Sequence, residues 1–174
     1  MGNTFPGFEN FVTSQGSAHA RIHQGTFYSA DLFDPALASA GVLDMLIRPD
    51  ASVSMHLRFT LAAGGDAQVE LFEAATFSAA GALLQPINRN RITANVARGL
   101  LNTGPTITAP GVKLTHGLLP GGSQGQTVGA VGSSFEEWVL APGVVYLLRS
   151  TNLAGQAQPV DIQVDFYEPI GKLR

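Results

Sequence analysis

The residues of this chain that could do chemistry are few, and the densest group is QPINRNR, residues 85–91. Only 13% of the 174 residues are Asp, Glu, Lys or Arg, yet Arg89 and Arg91 lie one residue apart here and Arg98 follows soon after. Guanidinium groups pair bidentately with acids, so the stretch is a candidate contact with a carboxylate-rich surface. The alternative is a structured loop, in which Asn side chains close Asx turns and Arg side chains bond nearby carbonyls.

Nucleic acid is a poor candidate for that partner. The net charge is −3 and the isoelectric point is about 5.7, whereas a general nucleic-acid-binding protein carries a basic excess. No aromatic residue is interleaved with the arginines. No apolar run reaches the roughly 18–20 residues that span a bilayer. We therefore expect neither a nucleic-acid nor a membrane partner.

A possible nucleophile occurs in GGSQG, residues 121–125, which matches the G-x-S-x-G pattern at Ser123. That motif works by holding the serine on a strand-to-helix turn above a parallel sheet. The residues that follow have no helical period, and the chain shows no alternation of helices with strands. We expect a Gly-rich loop, and a hydrolase at Ser123 is the least favoured hypothesis.

The remaining polar groups predict neither a metal site nor an active site. His19 and His23 are four residues apart, which suits two metal ligands only on a helix, and the pattern around them predicts extended chain. There is no H-E-x-x-H motif, and the absence of Cys excludes a thiolate site. Asp161 and Asp165 alternate along one strand face without an evident partner. We expect no catalytic residues, no metal and no cofactor.

The elements that must position these residues are predicted to be short strands. Two segments alternate apolar and polar residues with period two: SVSMHLRFTL (52–61), where every second residue from Val53 to Phe59 is apolar, and VDIQVDFY (160–167). This alternation indicates strands with one buried face. GVVYLLRST is apolar on both faces over residues 144–148, as in a central strand covered on both sides. Further strands are predicted over 42–48, 68–77 and 135–140, and a single helical turn over 34–41.

The spacing of these strands predicts the fold class. Turn sequences such as AAGGD, TGP and APG separate them. About eight short strands with turns between them favour an all-β fold, an antiparallel β-sandwich or jelly roll.

The first sixteen residues differ from the rest. Phe5, Phe8 and Phe11 recur at every third residue and are interrupted by Pro and Gly. The segment either folds back over the domain or forms an extended arm whose aromatics dock onto a partner, since apolar patches mark contact surfaces. The predicted organisation is an N-terminal arm (1–16), a jelly-roll β domain (17–168) and a short C-terminal tail (169–174).

The order of motifs from about residue 21 to residue 168 resembles a family of tailed-phage head decoration (capsid cement) proteins with a jelly-roll fold. The features that carry this resemblance are RIHQGTFYSA, MHLRFTLAAGGDAQVELFEAATFSAAG, LQPINRNR, and the closing section from LPGGSQG to DFYEP. Two features depart from the family: the last strand ends in DFYEP where a Trp-Tyr-Glu ending is expected, and the Phe-rich first sixteen residues match no family pattern.

The resemblance implies a non-enzymatic virion protein on the outer surface of the capsid. It would bind the major capsid protein as a homotrimer at threefold or quasi-threefold positions. The candidate partner-binding residues are Phe5, Phe8 and Phe11 in the arm, and Arg89 and Arg91 in the basic loop. The alternative is a receptor- or glycan-binding jelly-roll module of a phage fibre or tail. It would use an exposed aromatic platform beside polar side chains, for which Trp138, Tyr146 and Asn152 are the candidates.

Overall fold

The structure is a computed structural model that describes residues 17–121, 130–133 and 137–169. Phe5, Phe8, Phe11 and Ser123 lie outside these residues. The described elements are α1 (Ser17–His23), β1 (Phe27–Leu37), β2 (Val42–Arg48), β3 (Met55–Ala63), β4 (Ala67–Glu73), β5 (Thr76–Ala79), β6 (Ala82–Leu84), β7 (Ile87–Asn88), β8 (Leu100–Thr103), β9 (Thr106–Ala109), β10 (Val112–Leu119), β11 (Ala130–Ser133), β12 (Trp138–Leu140), β13 (Tyr146–Asn152) and β14 (Gln158–Tyr167).

Two antiparallel sheets form a sandwich with the strand order of a jelly roll. In the first sheet β1 pairs with β14, β14 with β3, and β3 with both β11 and β12. In the second sheet β2 pairs with β13, β13 with β4, and β4 with β10. If β11 and β12 are taken as one interrupted strand, the eight strands follow the orders 1-8-3-6 and 2-7-4-5. This is the double Greek key of a jelly roll, and it confirms the predicted fold class.

The core lies between the sheets and follows the period-two pattern of the sequence. Met55, Leu57 and Phe59 of β3 face inward, and so do Ile162 and Val164 of β14. Side chains between them point outward, because successive residues of a strand face opposite sides of the sheet. Both of these strand predictions are confirmed.

The predicted double coverage of β13 is also confirmed. Leu148 packs in the main core, whereas Leu147 faces the opposite side and is buried in a second cluster with Phe72 and Ala75. Ile107 of β9 packs against that cluster. The two-stranded ribbon of β5 and β9 therefore covers part of the outer face of the second sheet.

Residues 74–111 form an insertion between β4 and β10 of the jelly roll. Within it, β7 adds to the first sheet beside β1, and β8 and β6 add to the second sheet beside β2. The insertion thus extends both sheets on the side of the sandwich where β1 and β2 lie. Its strands pair with backbone groups of β1 and β2 that would otherwise be unpaired at the sheet edges.

Two local predictions within the sheets are wrong. The helical turn predicted over 34–41 is instead the end of β1, where a bulge lies between Asp34 and Leu37 in the pairing with β14. The side chain of Asp34 accepts a hydrogen bond from the Ala36 amide (2.9 Å) rather than capping a helix. The single strand predicted over 68–77 is broken at Ala74, which has a left-handed backbone conformation (φ 59°) and ends β4.

Candidate partner-binding surface

Helix α1 replaces the extended chain that the sequence predicted around His19 and His23. Its last turn closes through hydrogen bonds from the Gln24 amide to the Ala20 carbonyl and from the Gly25 amide to the Ile22 carbonyl. Gly25 has φ +68°, the left-handed conformation that commonly ends a helix. A Gly after a last turn that carries Arg21 and His23 is a helix-stop signal that the strand-like pattern obscured.

Two asparagines of the basic loop (residues 85–91) and Asn95, shortly after it, bind the chain at the end of this helix. The side-chain amides of Asn88 and Asn95 donate to the Gly25 carbonyl at 2.9 and 3.2 Å. The side-chain amide of Asn90 donates to the His23 carbonyl at 3.1 Å. The last carbonyls of a helix have no partner within the helix, so Asn90 supplies the missing donor at His23. The two contacts to Gly25, just beyond the helix, further fasten this segment to the end of α1.

The same loop is closed by consecutive Asx turns. The Asn90 amide donates to the Asn88 side chain at 2.8 Å, and the Ile92 amide donates to the Asn90 side chain at 3.0 Å. Asn88 is buried and also donates to the Asn95 carbonyl at 3.0 Å. The interpretation of QPINRNR as a structured loop is therefore correct for the asparagines.

The two arginines lie on the outside of this loop. Arg89 is half-exposed, with its guanidinium 5.3 Å from the ring centre of Phe27 and 3.7 Å from an Asp165 carboxylate oxygen. Arg91 has a long contact of 3.5 Å to the Asn88 carbonyl. Exposed ion pairs of this length contribute little to stability. Within the described residues neither guanidinium forms a bidentate pair with a carboxylate, so both can contact a partner.

The insertion also exposes large apolar side chains. Ile92 is 98% exposed, Val96 73%, and Leu83 and Ile87 are 57% and 56% exposed. Single exposed apolar residues are ordinary, but four of them within fourteen residues, two arginines among them, match the composition of contact surfaces. We call residues 83–96 the insertion surface.

Glu168 fixes the chain that follows the insertion surface. Its buried carboxylate accepts hydrogen bonds from the amides of Arg98 and Gly99 at 2.9 and 2.6 Å. Hydrogen bonds to a charged acceptor are stronger than neutral ones. The insertion surface is thus held at both sides, by α1 at Gly25 and by the residue that follows β14.

A cluster of polar and titratable side chains lies beneath α1. The carboxylate of Glu137 lies 2.6 Å from the His56 ring nitrogen Nδ1 and accepts a hydrogen bond from the Tyr167 hydroxyl at 2.8 Å. The Tyr167 ring stacks on His56 with centroids 4.4 Å apart, and Arg21 of α1 lies 5.0 Å above it. The cluster holds α1 and residue 137 on the outer face of the first sheet.

The titration of this cluster reflects its burial and its hydrogen bonds. Burial, together with the neighbouring carboxylate of Glu137, raises the pKa of Tyr167 to about 12. Burial alone would raise the pKa of Glu137, but hydrogen bonds from His56 and Tyr167 outweigh it and hold that pKa below the ordinary value. These contacts, with the longer ion pair between Arg58 and Glu137 (3.9 Å), link β3, β14 and residue 137.

The two aspartates of β14 have partners that the sequence did not reveal. Asp165 accepts a hydrogen bond from the Ser29 hydroxyl, and Asp161 accepts one from the Gln163 side chain at 3.1 Å. Burial raises the pKa of Asp161. Beside Asp165, a polar cleft of about 500 Å³ runs between β1, β7 and β14, with Asp31 and Arg89 among its walls.

The aromatic platform proposed for glycan binding is absent at the three residues named for it. Tyr146 is buried, and its hydroxyl donates to Glu73 at 2.9 Å. Asn152 is fully buried and donates to the Leu37 carbonyl at 2.8 Å. Trp138 is half-buried and packs against the main core. These side chains serve the fold.

In the described residues, no cluster of three or more His, Asp or Glu side chains is placed to hold a metal ion. Over the same ranges, no helix is long and apolar enough to cross a bilayer.

Comparison of the chain with protein-family models, with curated proteins and with solved structures found no match.

Proposed function

We propose that this chain is a non-enzymatic structural protein of a phage particle that decorates and stabilises the outer surface of the capsid. It would bind the major capsid protein as a homotrimer at threefold or quasi-threefold positions. The order of motifs from residue 21 to residue 168, similar to that of the head decoration proteins, supports this proposal. The jelly-roll strand order agrees with it, since that fold is frequent in virus particles.

The observation that carries the proposal is the almost complete exposure of Ile92 on a loop that hydrogen bonds hold in place. The amide of Ile92 donates a hydrogen bond to the side chain of Asn90, and the same side chain donates to the His23 carbonyl at the end of α1. A loop fixed before binding loses little conformational entropy when it binds. An exposed isoleucine on such a loop, with Arg89 and Arg91 just before it in the chain, is suited to insert into the surface of a partner protein.

A trimer makes such a modest patch sufficient. Cyclic symmetry presents three identical copies of the insertion surface to the shell. Once one copy has bound, the others bind at a high effective concentration, so avidity exceeds the affinity of each patch. The low content of charged residues and the mildly acidic balance fit a protein that coats a particle without binding DNA.

The test compares two exposed apolar residues in a binding assay. Ile92→Asp places a charge in the insertion surface, and Val139→Asp places one on β12, where Val139 is 62% exposed outside that surface. Each purified protein is mixed with capsids that lack it, and the occupancy is measured by sedimentation. We expect Ile92→Asp to lower the affinity at least about tenfold because burying an unpaired charge is costly, and Val139→Asp to bind as the wild type. Equal binding by both variants would contradict the proposal.

The polar cleft supports a second candidate, a receptor- or glycan-binding module of a fibre or tail. Asp31, Gln163 and Asp165 line it beside Arg89, and such groups hydrogen-bond sugar hydroxyls. Screening the protein on a glycan array tests this candidate. Saturable binding that Asp31→Ala abolishes would favour it over decoration.

A further inference from the structure

The two histidines of α1 face each other one helical turn apart. Their ring nitrogens Nε2 are 3.0 Å apart, and the ring centroids are separated by 4.5 Å with an interplanar angle of 66°. Residues four apart on a helix lie on the same face. Both side chains are exposed, so the pair is accessible to an ion from solution.

The spacing of these nitrogens matches two adjacent ligands on one metal ion. Imidazole nitrogens bind Zn²⁺ and similar ions at about 2.0–2.1 Å. With both bonds at that length, a 3.0 Å separation corresponds to a nitrogen–metal–nitrogen angle of roughly 91–97°. That angle belongs to square-planar, tetragonal or octahedral coordination, which Cu²⁺ and Ni²⁺ favour over the tetrahedral geometry of structural zinc.

The helix that carries the pair is held in place independently of any ion. Asn90 donates to the carbonyl of His23 itself, and Asn88 donates to the carbonyl of Gly25 just beyond the helix. Arg21, on the side of α1 that faces the sheet, packs over Tyr167. The backbone that positions the two imidazoles is therefore tied to the sandwich, which favours chelation because the ligands need little rearrangement.

We propose that His19 and His23 form a two-histidine site for a divalent transition-metal ion, with Cu²⁺ bound most tightly and Ni²⁺ next. The order follows the general affinity series for nitrogen ligands. No third His, Asp or Glu of residues 17–121, 130–133 or 137–169 joins the pair, so water or a group from a partner fills the other coordination positions. The ion links both turns of a helix of seven residues, a length that is marginal in isolation, and so stabilises α1.

The test is calorimetric titration of the untagged full-length chain with Ni²⁺ in a buffer without chelators. We expect saturable binding of one ion per chain. His19→Ala and His23→Ala each remove one ligand and should weaken binding at least about tenfold, because the chelate is lost. Ala favours helix at these exposed positions, so both variants should remain folded. His116→Ala, which removes an exposed histidine of β10, is the matched control and should bind Ni²⁺ as the wild type does.

Two further readouts separate a metal site from a hydrogen bond between two imidazoles. Ni²⁺ should raise the melting temperature of the wild type and of His116→Ala, because a ligand that binds the folded state stabilises it, and should not raise that of His19→Ala. The electron paramagnetic resonance spectrum of bound Cu²⁺ should show two nitrogen ligands. Absence of Ni²⁺ binding by the wild type, or equal loss of binding in His116→Ala, would overturn the proposal and leave the pair as a hydrogen bond only.

Discussion

Asn88 offers the sharpest test of how the insertion surface is held, because it is buried and makes three hydrogen bonds. It donates to the carbonyls of Gly25 and Asn95 and accepts from the amide of Asn90. Asn88→Ala removes all three. At a net contribution of about 1 kcal/mol for each bond, the expected loss is about 3 kcal/mol in the free energy of unfolding.

The matched control is Asn90→Ala. Its two hydrogen bonds, to the His23 carbonyl and from the Ile92 amide, are exposed. Water can replace them, so the expected loss is only about 1 kcal/mol. The comparison separates a buried anchor from an ordinary loop residue.

Urea unfolding followed by circular dichroism, at one fixed protein concentration, measures both variants. The fixed concentration matters because association between subunits makes the apparent stability concentration-dependent. For a chain of this length, 3 kcal/mol corresponds to a fall in melting temperature of roughly 6–12 °C. Hydrogen exchange of the Asn90 amide should also quicken in Asn88→Ala. If Asn88→Ala costs no more than Asn90→Ala, the interpretation of Asn88 as the anchor of the insertion surface is wrong.

Other expected outcomes concern the helix end, the polar cluster and the N-terminal arm. Gly25→Ala combines a left-handed conformation with a Cβ only 2.5 Å from a side-chain carbon of Thr93 and should cost roughly 2–4 kcal/mol in urea unfolding. Gly104→Ala, with a similar φ of +64° and open space, should cost only about 1 kcal/mol, and equal losses would refute the close approach. The pKa of Tyr167 in the folded protein is about 12, above the ordinary value of about 10. The stability that the protonated hydroxyl contributes is therefore complete below pH 10 and is lost as the pH rises to about 12. The absorbance of tyrosinate should show a step near pH 12 that Tyr167→Phe removes, and an unchanged titration in that variant would contradict this. Deletion of residues 1–14 should reduce capsid occupancy if the arm is a contact, and undiminished occupancy would exclude that role.

The sandwich was predictable from the sequence where a strand has one buried face. Met55, Leu57 and Phe59 alternate with polar residues, so their period alone assigns the strand and its inward side. The double coverage of β13 was equally visible, because Leu147 and Leu148 are adjacent apolar residues that must face opposite sides. In these segments the buried face alone determines the local pattern.

The insertion and the helix end could not be predicted in the same way. Asn88 and Gly25 are 63 residues apart in the chain, and no local pattern shows which carbonyl an asparagine will bind. Helix α1 has seven residues, too few for a helical period to exceed the strand-like signal around it. The bulge between Asp34 and Leu37 disturbs the alternation of β1, which made the end of a strand resemble a capped turn.

The candidate site was predictable only in part. The concentration of Arg89 and Arg91 in an otherwise sparsely charged chain marked the right loop. Ile92 was not singled out, because an isolated isoleucine in a sequence is ordinarily buried. Its exposure is evident only in the folded chain, where consecutive Asx turns at Asn88 and Asn90 close the loop.

The most direct test of the proposed function is a cryo-EM reconstruction of purified particles of the phage that this proposal assigns the chain to. We predict threefold-symmetric density for a jelly roll on the outer shell, with residues 83–96 in a protein interface. Density for the chain only at the tail or on fibres, or none on the shell, would contradict a decoration role and favour the receptor-binding alternative.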